Sequence, residues 1–326
     1  MSAIKKNMSQ LQCAVSNQSK MSNCSQFYGE VPEFDFKFSS IVGRRDNNED
    51  AHVTFKFKNM WVAGIFDGHN GPSVAQYCAK NLEFFLQQYK NEQKTIEEIL
   101  KDTIFAINKA VMEQFTGNQA GSTAVIVAMD SDEKEIHVVN VGDSRCVIGY
   151  SNKIVSTRDH KPEYEAERLK KAGAYIELMD GVWRINKVIS VARSIGDSTF
   201  KAYGVICDPD YYKFPLQDCQ YVILGCDGLF DVVTNEQLDS YVKLAVKRDA
   251  KTEEDRKFLK ILDGDDQINN TQIYRSEGKI HQKLLFDNVI ANSILPKRIA
   301  QTLTRTAYDL NSLDNVSVAC CLVGLK

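Results

Sequence analysis

The chain has 326 residues, 43% of them hydrophobic and 25% charged, which is ordinary for a globular protein and ample for a sizeable core. Its formal net charge of −3 argues against a dedicated nucleic-acid binder, whose domain carries a basic stripe. No run approaches the ~20 apolar residues of a membrane-spanning helix, and the nine cysteines form no Cys-x-x-Cys pair, so they read as reduced, mostly buried thiols of an intracellular protein.

In chain order, Met1–Gly29 is rich in Ser, Asn and Gln, carries Lys5, Lys6 and Lys20, and has no acidic residue. A disordered tail over 1–33 is expected. It lacks the arginine of an organelle transit peptide, so the cytoplasm or nucleus is the expected compartment, with an organelle address as the minor alternative. Order is expected from Phe34, where Phe-Asp-Phe-Lys-Phe alternates as a strand does. Val53–Phe57 and Met60–Phe66 read as a strand pair. Pro72 opens a helix in which Val74, Cys78, Leu82, Phe85 and Tyr89 recur at helical spacing, and Phe84-Phe85 is assigned to the core. A second helix carries Ile96, Ile99, Leu100, Ile104, Ile107 and Val111 on one stripe. Thr123–Met129, Ile136–Val141 and Arg145–Tyr150 form a strand meander, followed by a short helix over Glu163–Lys171 that Gly173 stops. Tyr221–Gly225 is a strand, and Thr234-Asn-Glu-Gln237 has the capping-box form ahead of Leu238, Tyr241, Val242 and Ala245. The last helix is expected over Pro296–Leu310 and the last strand over Val316–Val323, where alternation sends Cys320 and Cys321 to opposite faces.

Between about 248 and 295 the sequence is charged, amide-rich and aperiodic, which predicts an exposed insertion within a domain spanning 34–326. Its Asp263-Gly-Asp-Asp266 run is no calcium loop, because Ile268 stands where that loop needs Gly and Tyr274 where it needs Glu. There is no Gly-rich phosphate loop and no alternating βαβ run. Strands, paired helices and further strands predict an α+β fold of antiparallel sheets covered by helices.

Five segments end an apolar run on an acidic residue: Arg45-Asp-Asn-Asn-Glu49-Asp50, Ile65-Phe-Asp67-Gly68-His69, Val141-Gly-Asp143-Ser-Arg145, Leu224-Gly-Cys-Asp227-Gly228 and Leu313-Asp314-Asn315-Val316. A carboxylate at the mouth of a buried strand is costly unless a cation meets it, and gathering several raises the pKa of each. A divalent ion removes both costs. The pattern therefore points to a multi-carboxylate Mg²⁺ or Mn²⁺ centre, since these ions favour hard oxygen ligands. Two such ions about 3.5–4 Å apart acidify a water and stabilise in-line displacement at phosphorus. Arg45 supplies a planar cation for phosphoryl oxygens, and His69 an acid for the leaving group. His137, His160, Arg145 and Arg193 are read as structural, and His52 as either packing or support for the site.

These segments resemble the metal-dependent Ser/Thr protein phosphatases of type 2C, the PPM family. The resemblance rests on Arg45…Glu49-Asp50-Ala51-His52, Phe66-Asp67-Gly68-His69, Gly121-Ser-Thr-Ala124, Val141-Gly-Asp143-Ser-Arg145, Asp159-His-Lys-Pro162, Ala192-Arg-Ser-Ile-Gly-Asp197, Cys226-Asp227-Gly228 and Asp314-Asn315, all in the family's order. It covers roughly residues 36–246 and 297–325. It implies a four-layer α/β/β/α sandwich of two antiparallel sheets flanked by helices. It also implies two metal ions, with Asp67 bridging, Asp227 and Asp314 completing one site, and Glu49 and the Gly68 carbonyl holding the other. Asp143 with Asp227 would serve a looser third ion, and Asp50 and Asn315 would support bound waters and ligands.

In that scheme metal-bound hydroxide attacks the phosphate of phosphoserine or phosphothreonine, Arg45 grips the phosphate, and His69 protonates the departing oxygen. The implied partners are phosphoproteins, with no nucleic acid and no membrane span, and the expected state is a monomer. A flap is expected near Glu163–Val188, where Arg184-Ile-Asn-Lys187-Val-Ile departs from the usual Arg-Val-Asn-Gly-x-Leu and puts substrate preference in question. Two other classes stand beside this reading: a non-catalytic relative that binds a partner, and a two-metal phosphoesterase acting on nucleotides. The intact ligand set argues against the first and the acidic balance against the second.

Overall fold

Alternating segments of the chain build two five-stranded antiparallel sheets. The computed structural model describes residues 34–89, 93–115, 119–264 and 288–323, giving the backbone alone for 288–293. One sheet joins β2 (Ala51–Phe57), β3 (Met60–Phe66), β6 (Ala124–Asp130), β7 (Glu135–Val141) and β13 (Asp210–Pro215) in the order β13-β7-β6-β3-β2. The other joins β1 (Lys37–Ile41), β8 (Arg145–Tyr150), β9 (Ile154–Ser156), β14 (Cys219–Gly225) and β15 (Val316–Leu322) in the order β1-β15-β14-β8-β9. Two small sheets flank them: β4 (Gly68–His69) with β5 (Gly121–Ser122) and β12 (Ile195–Gly196), and the hairpin β10 (Ile176–Met179) with β11 (Val182–Ile185).

The period-2 geometry of the strands sorts the core into layers. In β3 and β6, Ala63, Ile65, Val125, Val127 and Met129 enter the space between the sheets, where they meet Val222, Leu224, Ala319 and Cys321. Their neighbours Val62, Phe66, Ile126 and Ala128 face outward under α1 (Ser73–Tyr89) and α2 (Ile96–Gln114). On the other side Ile223, Val318 and Cys320 lie under α6 (Asn235–Lys247), α7 (Glu253–Asp263) and α8 (Asn288–Asp309). The result is the expected four-layer α+β sandwich, with Cys320 and Cys321 on opposite faces. Short helices α3 (Ala166–Lys171), α4 (Ser198–Lys201) and α5 (Asp227–Phe230) sit in the connections. Among the described residues every cysteine is a free thiol, and no helix is long and apolar enough to cross a membrane.

The helix start read from its capping box is sound, and two further helices open on capping boxes that the sequence reading does not name. Thr234 and Gln237 exchange backbone bonds at the head of α6, and Thr95 with Glu98 does the same at the head of α2. Three sequence readings need correction. Phe84 is 55% exposed, because the inward stripe of α1 runs through Val74, Cys78, Leu82 and Leu86, leaving Phe84 on the far side and Phe85 at the edge. The stretch after Lys247 is not wholly aperiodic. Capped by Thr252, α7 buries Phe258 and Leu262, with Phe258 stacked on Tyr241 at 4.7 Å between ring centroids. Two anchors four residues apart in a charged segment give too narrow a stripe to stand out in sequence. The last helix begins at Asn288 rather than Pro296, which lies inside it. Asp265, Asp266, Ile268 and Tyr274 fall outside the described residues.

Candidate metal centre

Each acidic segment leaves its strand at the same rim of the sandwich. Asp67 follows the last residue of β3, Asp227 follows β14 by one residue and opens α5, and Asp314-Asn315 leads into β15. Glu49-Asp50 leads into β2, and Asp143 lies in the turn between β7 and β8. β3 and β2 are neighbours in one sheet, and β14 and β15 in the other, so pairing alone brings these ends together. A cleft of about 480 Å³ is lined by Arg45, Glu49, Asp67, Gly68, His69, Asp143, Asp227, Asp314 and Asn315, together with Asp46, Asn47, Asn70, Thr123, Arg184 and Val188–Val191. Of the residues singled out from sequence, only Asp50 is set back from its surface.

Hydrogen bonds lock these segments to one another. Asn315 Oδ1 accepts from the Glu49 N–H at 2.9 Å, while its amide nitrogen donates to the Val42 and Asn47 carbonyls at 2.8 and 2.9 Å. Asp67 and Thr123 pair twice: the Asp67 N–H donates to Thr123 Oγ1 at 3.1 Å, and the Thr123 N–H donates to the Asp67 carbonyl at 2.9 Å. Ser317 Oγ donates to Asp50 Oδ2 at 2.6 Å. Gly228 lets α5 approach the Asp314-Asn315 turn, because any Cβ there would collide with the Asn315 carbonyl oxygen.

The electrostatics are those of crowded carboxylates short of counter-charge. Burial pushes Asp67 well above the usual carboxylate range, and the charges of Asp227, Asp50, Asp143 and Asp314 push it further. Asp227 is raised to about 7, by burial first and then by Asp314 and Asp231. Asp50 is raised to about 6, chiefly by burial. Asp143 rises for the same reason with Asp227 beside it, and Lys161 partly opposes this. Asp50 Oδ1 and Asp227 Oδ1 are buried and accept no hydrogen bond from the protein. Oxygens of Asp50 and Asp67 and the sulfur of Cys226 lie within 4.8 Å of one another. The Cys226 sulfur is already engaged, accepting from the Ser317 N–H at 3.1 Å and facing the Asn315 carbonyl at 3.4 Å. Hard oxygen donors, unmet lone pairs and raised carboxyls fit a hard divalent cation.

Arg45 lines the cleft with its side chain 57% exposed, and it bonds Asp314 Oδ2 at 2.6 Å and the Leu313 carbonyl at 3.1 Å. Arg44 points elsewhere, to the Tyr308 and Ser312 carbonyls. The His69 ring places Nε2 at 2.9 and 2.8 Å from the two oxygens of Asp197. His52 stacks on Phe38 at 4.5 Å, a packing role. His160 Nδ1 accepts from the Gly142 N–H at 3.0 Å and so braces the turn that carries Asp143. Arg145 forks onto Asp159 at 2.9 and 2.6 Å, and Arg193 joins Glu165 and Asp210. Thr123, Ser317 and Asp197 have no role in the sequence reading. Thr123 and Asp197 stand in segments it quotes, but a hydroxyl or carboxylate that serves another side chain has no periodic or flanking signature.

The family model described as Protein phosphatase 2C matches residues 34–261, stopping short of Asp314. Protein phosphatase 1L of Bos taurus is 35% identical over 225 residues, covering 63% of this chain and 62% of that protein. Probable protein phosphatase 2C 45 of Oryza sativa subsp. japonica is 33% identical over 214 residues, covering 63% and 74%. The chain thus spans about 62% of the length of the bovine relative. Among solved structures, a phosphatase from a pathogenic strain of Toxoplasma gondii superposes with a TM-score of 0.65 at 22% identity, covering 88% of this chain and 92% of its own. A C. elegans sex determining protein superposes with a TM-score of 0.69 at 21% identity, covering 89% and 65%. At such identities the structural matches speak for the fold alone.

Proposed function

Since the chain belongs to the protein phosphatase 2C family, we propose that it is a Mg²⁺- or Mn²⁺-dependent phosphatase acting on phosphoserine and phosphothreonine in proteins. The observation that carries this reading is the meeting of Glu49, Asp67, Asp143, Asp227 and Asp314 in one cleft, where a buried oxygen of Asp227, and one of Asp50 set behind it, are left unpaired by the protein itself. In this reading Asp67, Asp227, Asp314, Glu49 and the Gly68 carbonyl would hold two ions, and Asp143 with Asp227 would serve a looser third. When bound, the ions supply an acidified water and positive charge for the phosphoryl oxygens.

The chain's own residues do the rest. Arg45 at the cleft rim binds the phosphate oxygens. His69 holds a proton for the serine or threonine oxygen as it departs. Asn315 and Thr123 keep Glu49 and Asp67 in register through the backbone bonds described above, and Asp50 sits behind them as an acceptor for bound water. Arg184 and Val188–Val191 form the wall over which a substrate chain passes. No nucleophilic side chain is required, which separates this chemistry from that of cysteine phosphatases. The test is hydrolysis of a phosphoserine peptide with Mn²⁺, with chelator, and by Asp227→Asn. Turnover should need Mn²⁺ and fall by several orders of magnitude in the variant, and equal turnover in all three would end the proposal.

A further inference from the structure

The small sheet β12-β5-β4 sets three residues abreast. His69 on β4 faces Gly121 on β5, which faces Gly196 on β12. Asp197 follows Gly196 and so leaves the sheet across from His69 with only a glycine between them. That glycine is required: a Cβ at 121 would fall on both Asp197 Oδ2 and His69 Nε2. The Asp197 carboxylate is fully buried, and its two oxygens straddle Nε2 at 2.9 and 2.8 Å. Its backbone sits at φ 51°, ψ 48°, a left-handed conformation that a non-glycine residue holds only when its surroundings enforce it. The enforcement is visible. The Asp197 N–H donates to the Ala120 carbonyl at 3.2 Å, the Gly196 N–H to Asn108 Oδ1 at 3.0 Å, and Lys201 Nζ to the Ser194 carbonyl at 2.7 Å.

We propose that Asp197 is a positioning residue for the protonation of the leaving group, an inference that rests on the phosphatase reading above. Its carboxylate accepts Nε2–H, fixes the plane of the ring, and makes Nδ1 the nitrogen that delivers the proton. Water adds its oxygen to phosphorus and sheds one proton to solvent, the bond from phosphorus to the side-chain oxygen breaks, and the electron pair left on that oxygen takes the proton from Nδ1. Solvent then returns a proton to Nδ1. A serine or threonine oxygen is a strongly basic leaving group and needs this proton, whereas p-nitrophenolate departs without it. Gly121 and Asp197 therefore act as one device, the first making room and the second aiming the acid.

The experiment compares Asp197→Asn with the parent protein, both loaded with Mn²⁺, on a phosphoserine peptide and on p-nitrophenyl phosphate. The peptide kcat should fall about 10²-fold or more, and the loss on the aryl ester should be at least roughly ten-fold smaller, because only the first reaction uses the acid. His69→Gln should show the same split, and the double variant should be no slower than the slower single. Equal losses on the two substrates, or losses that multiply in the double variant, would overturn the inference. A measurement that needs no variant decides the pairing itself. Nitrogen-15 NMR of the parent protein should find a proton on His69 Nε2, and a bare Nε2 would refute the arrangement. A parent enzyme that hydrolyses the aryl ester but no phosphopeptide would sink the phosphatase reading instead, and the NMR result would still stand.

Discussion

Stripping divalent metal from this protein should make it less stable at pH 8 than at pH 5. Asp227 is raised to about 7 and Asp50 to about 6 from an ordinary value of 3.8, so the folded state favours the neutral carboxyl at each. Such groups contribute fully below about pH 4, and the contribution is withdrawn as pH climbs through 6 and 7. At about 1.4 kcal/mol per pKa unit these displacements correspond to roughly 4 and 3 kcal/mol, and their mutual repulsion makes the joint effect smaller than the sum. Asp67 and Asp143 move in the same direction. His52 and His137, lowered by burial, act the other way, since their stability is present above about pH 6.5 and lost as pH falls. Asp227→Asn separates the contributions. In chelator at pH 8 the variant should be more stable than the parent by about 2–4 kcal/mol, and at pH 5 by roughly half of that or less. Urea unfolding followed by intrinsic fluorescence at pH 5, 6, 7 and 8 reads this directly. Mn²⁺ at a hundred times Kd should stabilise the parent by about 2.7 kcal/mol and so close most or all of that gap. A chelated parent whose stability is flat or rising over this range, or a variant with no gain at pH 8, would refute the reasoning.

Two further outcomes follow from packing. Phe258→Ala should cost about 3–5 kcal/mol in urea unfolding, because the ring is 3% exposed and stacked on Tyr241. A change below about 0.5 kcal/mol would mean that this stretch is an unpacked surface excursion. Gly228→Ala should weaken Mn²⁺ binding by roughly ten-fold or more in calorimetry, because the new methyl would displace the Asn315 carbonyl and with it Asp314. Unchanged affinity would show that α5 and the turn before β15 do not meet as described.

Much of this architecture was legible in the sequence because strands sort residues with a period of two and cannot hide it. The segments over Met60–Phe66, Thr123–Tyr150 and Tyr221–Gly225 alternate between two apolar faces, and each face has its own partner layer. Where the signal was weak, the reading slipped. Phe84 looked like core because it is aromatic and adjoins Phe85, yet a one-residue step around a helix turns a side chain through about 100°. α7 escaped notice because two buried anchors among acidic and basic residues resemble solvated sequence. Pro296 read as a helix start, and the preceding residues continue the helix regardless.

The acidic residues themselves were marked by their flanks: an apolar strand directly before or just after, and glycine or a small polar residue alongside. That local contrast suffices to nominate Asp67, Asp227 and Asp314, since each carboxylate's cost can be judged from its own neighbours. Which oxygens lack partners, how Asn315 ties Glu49 to β15, and why Asp197 reaches His69 are relations between segments far apart in the chain. They depend on strand register and on the space left by single glycines. Distance between side chains is a property of the packed sheets, and no pattern within one segment encodes it.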